Sequence, residues 1–285
     1  MNIAIITDST CDLGPAGEIA YRIDIVPLTV AFGDNTYRDG IDMSGDEFYT
    51  RLSKVGVLPV TSQPSPALFE EVFRRRLDED KVILGILLSG AFSGTYQSAV
   101  LARSSFSEAE QQRILLVDSR HATGNLALLV LEACRMRDQG CGAEEIRDHI
   151  VSLIPRVRLY AIFESLKYLR MGGRLSAAAA AVGGILNIVP VISIEDGKAE
   201  VVARIRKSRT AFRRWLREKI NSDLPDLLYP VVYLHSSNPA LVAPLQDEFR
   251  YLLAPERTYC LSLGSVIGTH AGPGAYGMVY VTRSD

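Results

Sequence analysis

The stretch LSGAFSGTYQSA, residues 88 to 99, runs from an apolar segment into Gly-x-x-Ser-Gly-Thr and then into a helical pattern. Small hydroxyls and free backbone N–H groups at a helix start are preset donors, and the helix dipole adds to them, so this arrangement suits an anion. Two other apolar runs end the same way, in Asp8-Ser9-Thr10 and Asp118-Ser119. In open α/β sheets ligands sit outside the carboxyl ends of the strands, where these residues would lie. Each hydroxyl could equally serve as a simple helix cap. Three familiar chemistries lose ground. The stretch 88–99 contains neither the Gly-Lys-Ser/Thr ending of a nucleotide phosphate loop nor a Gly-x-Gly-x-x-Gly. Ser93 has Ala91 two residues before it and Thr95 two after, so it is not a Gly-x-Ser-x-Gly nucleophile.

A serine nucleophile would also need a base, and there are four histidines to supply one. His149 falls on a polar helical face and reads as solvated; His121 follows Asp118-Ser119-Arg120 in a turn; His235 ends a strand. His270 lies in GTHAGPGAYG, expected to be a glycine-rich loop between the last two strands, where the backbone can approach a ligand closely. In TSQPSP, residues 61 to 66, Ser65-Pro66 reads as an N-cap with proline at the first helical position. Thr61 then remains for a ligand, in a segment stiffened by Pro64 and Pro66. Of the basic residues, Arg213, Arg214 and Arg217 read as a solvated helix face. Arg174, after Gly172-Gly173, is better placed to meet an anion.

The elements that must position these groups alternate over the first 160 or so residues. Apolar runs at 3–8, 24–32, 81–89, 113–119 and 158–165 are separated by amphipathic segments at 65–77, 94–106 and 124–140. This predicts a parallel sheet covered by helices on both faces. After Leu166 the pattern changes to two runs joined by Asp196-Gly197, a strong hairpin signal, then a basic helix over 207–220 and further strands. The expected fold class is α/β, with an N-terminal parallel-sheet domain over 1–165 and a C-terminal α+β domain with antiparallel strands over 166–285. A formal charge of −2 argues against an extended nucleic-acid face. Four scattered cysteines without metal-ligand spacing read as reduced thiols, and no metal is expected. The N-terminus does not read as a signal peptide and no apolar run reaches spanning length, which predicts a cytoplasmic location.

Several stretches together resemble one family. ITDSTCDL (6–13), PLTVAFGDNTYRDGIDMSGDEFYTRL (27–52), PVTSQPSP (59–66), LSGAFSGTYQSA (88–99), YLRMGGRLS (168–176), LNIVPVISIEDG (186–197) and HAGPGAYG (270–277) are similar, in order, to motifs of the DegV family. These bacterial fatty-acid-binding proteins include the FakB subunits of fatty acid kinase. The resemblance implies two domains with a long-chain fatty acid such as palmitate buried between them and no other cofactor. It implies that Thr61, Ser93 and His270 hold the carboxylate. Arg174 and Gly94 would lie at the mouth, and Asp8 and Ser9 would support that end.

Burying about 14 methylenes at roughly 0.8 kcal/mol each would favour binding by on the order of 11 kcal/mol. Association costs of about 4–15 kcal/mol oppose this. The small residues Ala177 to Ala181, Gly183 and Gly184 would either leave room for the acyl chain or permit close helix packing. The resemblance further implies a separate ATP-binding kinase subunit as partner. Many members have two basic residues before Gly-Gly-Arg and a lysine after LNI; here Arg170-Met171 and Val189 reduce the charge offered to that partner. The competing reading is a hydrolase or acyltransferase with Ser93 as nucleophile and His270 as base, which requires the two within hydrogen-bond reach.

Overall fold

The computed structural model describes residues 2–54, 58–175, 187–252 and 257–284. The fold is α/β. Strands β1 (Ile3–Asp8), β2 (Ile23–Val26), β6 (Val82–Leu87) and β7 (Ile114–Asp118) form a parallel sheet in the order β2-β1-β6-β7. Their near-continuous apolar sequences follow from burial on both faces. The run 24–32 does not make one strand. Pro27 lacks a ladder N–H, and the chain leaves the parallel sheet after Val26. It re-forms as β3 (Thr29–Phe32), the centre of an antiparallel sheet between β4 (Asn35–Arg38) and β5 (Val60–Ser62). That small sheet carries Thr61, opposite Val30.

The second large sheet has six strands in the order β10-β9-β8-β13-β11-β12. These are β8 (Val157–Ile162), β9 (Ile188–Glu195), β10 (Lys198–Arg206), β11 (Val231–His235), β12 (Thr258–Ser262) and β13 (Tyr276–Val281). Only the β11–β12 pair is parallel. The apolar run 158–165 was expected among the parallel strands; it instead supplies β8, antiparallel to β13 and β9. An apolar strand buried on both faces reads alike in either sheet, so composition could not separate the two. The Asp196-Gly197 hairpin forms as expected, with both residues at positive φ (49° and 80°).

The helix Thr123–Asp138 is buried over nearly its whole length because it lies between the two large sheets. It packs on β1 and β6 on one side and on β8, β11 and β13 on the other. Gly124 allows this approach: a Cβ there would lie 2.8 Å from Leu234 Cδ2. The lobes are also tied by polar contacts, since Ser89 Oγ donates to Gly197 O at 2.9 Å and Arg120 pairs with Asp196 at 3.3 Å.

Two histidines differ from expectation or gain definition. His149 is half-buried rather than solvated, with Nε2 3.1 Å from Glu132 Oε1. His121 is buried, bonded through Nε2 to Ile154 O, and desolvation pushes its pKa down to about 4. The four cysteines are unpaired. Among the described residues no helix is long and apolar enough to cross a membrane, and no cluster of three or more metal-ligating side chains occurs. The alanine-rich segment 177–184 lies outside the described residues.

Candidate functional site

A cavity of about 380 Å³ opens between the lobes. Its walls are mostly apolar: Leu28 and Leu88 from the first lobe, Leu159, Phe163, Ile192 and Ile194 from the second. The polar residues Thr61, Gln63, Ser93, Arg174 and His270 also line it. Few polar groups in an apolar cleft of this size are the usual make-up of a small-molecule site.

Each polar side chain has a local reason for its position. Thr61 sits on the edge strand β5, and its Oγ1 lies 3.0 Å from His270 Nε2. His270 is not in a loop, as its glycine-rich surroundings suggested, but in the last turn of the helix Ser265–Ala271. That helix ends at Gly272, whose φ of 72° turns the chain into β13. Gly268 is there for packing: a Cβ would lie 2.7 Å from the Phe48 ring. The other imidazole nitrogen, Nδ1, is buried, has no hydrogen-bond partner among the described residues and faces Gly172.

Ser93 precedes the helix Thr95–Ser104. Its Oγ lies 2.9 Å from Thr95 Oγ1 and accepts from Thr95 N–H at 3.3 Å. Arg174 is fixed by its own donors, with Nε bonded to Phe92 O at 3.1 Å and an Nη to Gly172 O at 2.6 Å. Five side chains from distant parts of the sequence thus meet at one place. No hydrogen bond joins Ser93 to His270 among the described residues, since each bonds a threonine instead.

Asp8 and Ser9 lie outside the cavity lining. Asp8 is fully buried and ties strand ends together, accepting from Thr10 N (3.0 Å), Thr10 Oγ1 (2.5 Å) and Leu88 N (2.7 Å). Burial pushes its pKa up to about 6 against these hydrogen bonds. Ser9 Oγ accepts from Leu28 N. Two further carboxylates, the half-buried Asp12 and the buried Asp39, unremarked in the sequence, anchor the start of the His270 helix: Asp12 accepts from Gly264 N at 2.8 Å and Asp39 from Ser265 N at 2.9 Å. Desolvation raises the pKa of both. Thr10 and Thr123 reach the cavity, but their hydroxyls donate to Asp8 and Asp12, which turns two polar residues into wall material. Thr123 holds a φ of 51°, a strained conformation for a β-branched residue, costing on the order of 1–3 kcal/mol.

Desolvation, with a smaller contribution from Arg174, lowers the His270 pKa from 6.5 to about 4. Between these values the folded protein binds fewer protons than the unfolded chain, so this group's stabilisation is full above pH 6.5 and is lost as pH falls toward 4. The His270 ring should therefore remain neutral at pH 5.5 in an NMR titration of the ligand-free protein. A carboxylate placed beside the ring should move the midpoint upward, because an adjacent negative charge favours imidazolium. A free-protein midpoint near 6.5 would contradict the buried placement.

The similarities to known proteins agree with this architecture. The family model described as uncharacterised proteins of the DegV family matches residues 2–283. A DegV domain-containing protein of Caldanaerobacter subterraneus is 38% identical over 278 residues, covering 98% of each chain. Among solved structures, a DegV family protein from Thermus thermophilus described as fatty-acid-binding superposes with a TM-score of 0.89 at 29% identity, covering 99% of this chain and 100% of that one. A stearic-acid-binding protein from Eubacterium ventriosum superposes with a TM-score of 0.85 at 28% identity, covering 98% and 97%. With its two large sheets, its interlobe cavity and a family match over almost its whole length, this chain belongs to the DegV family.

Proposed function

We propose that this protein is a non-enzymatic carrier that binds one long-chain fatty acid in the interlobe cavity. The observation that carries the reading is the cavity itself, apolar along its walls and bearing hydroxyl, imidazole and guanidinium groups together. In this reading the acyl chain runs along Leu28, Leu159, Ile192 and Ile194, and the carboxylate meets Thr61 and Ser93. With Nε2 protonated, His270 donates to Thr61 Oγ1 and leaves the threonine hydrogen free for the carboxylate; His270 then orients the donor. Likewise, when Thr95 donates to Ser93 Oγ, the serine hydrogen is free for the ligand. Arg174, with Gly94 beside Ser93, would border the carboxylate end. Solved relatives described as fatty-acid-binding support the reading.

A carrier of this kind presents its carboxylate to a separate ATP-dependent kinase subunit in the cytoplasm, which would form the acyl phosphate. The serine-hydrolase reading lacks the Ser93–His270 hydrogen bond on which it depends.

Denaturing extraction of the purified protein, followed by mass spectrometry of small lipids, tests the proposal. About one free fatty acid per chain is the expected result. An empty protein that also refuses added fatty acid would remove the reading. Ser93→Ala should weaken fatty acid binding about 10-fold, the loss of one hydrogen bond to a charged group, while tail-driven binding persists. Ester hydrolysis by the wild type that disappears in Ser93→Ala would point to the enzyme instead.

A further inference from the structure

Gln63 stands two residues beyond Thr61, before Pro64, which restricts it to extended backbone. Thr61, Ser62 and Gln63 all line the cavity, Gln63 from an exposed position. The Gln63 amide bonds Ser98 Oγ through Nε2 at 3.1 Å; no other hydrogen bond to it occurs among the described residues. A carboxamide has two N–H donors, so one remains to be used.

The amide is seated directly over Gly94. A Cβ on Gly94 would lie 2.7 Å from Gln63 Cδ and closer still to both terminal atoms, whichever way the amide is turned. Gly94 has a φ of −74°, a conformation open to any residue, so its backbone does not require glycine. The space for Gln63 is what the missing side chain provides. The amide lies next to Ser93 and at the start of the helix Thr95–Ser104, which adds its N-terminal dipole.

We propose that Gln63 is a further carboxylate-binding residue, its second N–H directed to the same carboxylate as Thr61 and Ser93, and that Gly94 is the seat that holds it there. The proposal rests on the fatty-acid reading above. Unlike His270, the amide keeps its hydrogens at every physiological pH, so it supplies a constant donor.

The test compares dodecanoic acid with 1-dodecanol by titration calorimetry on lipid-stripped protein. The two ligands share a tail and differ in the head group. Gln63→Ala should weaken the acid about 10-fold and change the alcohol less than about 2-fold. Gly94→Ala, which displaces only the flexible end of Gln63, should reproduce that pattern with an unchanged melting temperature. Combining the two should be no worse than either alone. Equal losses for acid and alcohol, or losses that multiply in the double variant, would overturn the proposal. Wild-type protein that binds neither ligand would overturn the fatty-acid reading itself, an outcome separable from the others because it requires no variant.

Discussion

Ala199→Phe is expected to empty the protein of fatty acid. Ala199 lies on β10 and lines the cavity beside Ile192 and Ile194. A phenyl ring there occupies space otherwise open to on the order of four methylenes, each worth about 0.8 kcal/mol of transfer free energy. The loss of about 3 kcal/mol corresponds to roughly 200-fold weaker binding. Because the ring fills existing space, the variant should melt at or above the wild-type temperature in the absence of lipid. Lipid extraction and calorimetric titration read the two effects separately. Retained stoichiometric fatty acid in a well-folded Ala199→Phe protein would place the acyl chain elsewhere.

The largest expected effect on stability comes from Asp8→Ala, which leaves Thr10 N, Thr10 Oγ1 and Leu88 N without their acceptor. Stranding buried donors costs about 1–3 kcal/mol each, although the Thr10 hydroxyl can rotate toward another acceptor. The cost depends on pH. Burial raises the Asp8 pKa from 3.8 to about 6, so the folded state holds a proton that the unfolded chain releases. Its stabilising contribution is greatest below pH 3.8 and diminishes as pH rises through 6, by about 3 kcal/mol in all. Denaturant titrations should show Asp8→Ala destabilised by about 3 kcal/mol at pH 5 and by about 1.5 kcal/mol at pH 8, a difference of about 1.4 kcal/mol. A pH-independent difference would mean that Asp8 is ionised throughout.

Local chemistry was legible where one residue type permits few alternatives. Ser65 caps its helix by accepting from Leu68 N, with Pro66 at the first helical position, and Asp196-Gly197 makes its turn. The pairing of β8 was not legible, because its partner β13 begins more than a hundred residues later and nothing local names it. The His270 helix was hidden for a different reason. Gly264, Gly268 and Gly272 suggest a loop, yet Gly268 is small because Phe48 and Tyr49 press against the helix there. Tertiary packing overrode propensity.

The site divided similarly. Thr61, Ser93, Arg174 and His270 carry unusual local sequence, and all four line the cavity. Gln63, between Ser62 and Pro64, drew no reading from the sequence. Its only sequence signal was Gly94, a glycine 31 residues away with no turn to make. Asp8 carried the appearance of a ligand group, but its neighbours Thr10 and Leu88 consume its acceptors.

The position of β13 bears on how the protein comes into being. This strand, the last in chain order among those described, lies in the interior of the six-stranded sheet, between β8 and β11. A sheet whose inner strand is made last cannot close progressively during synthesis; β8 must wait with one edge unpaired until residues 276–281 arrive. Pairings between segments so far apart in sequence are intrinsically slow to form. The His270 helix directly precedes β13, so the cavity and the sheet are completed together. A nascent chain therefore has no completed pocket, and on the fatty-acid reading proposed above loading would belong to the finished protein.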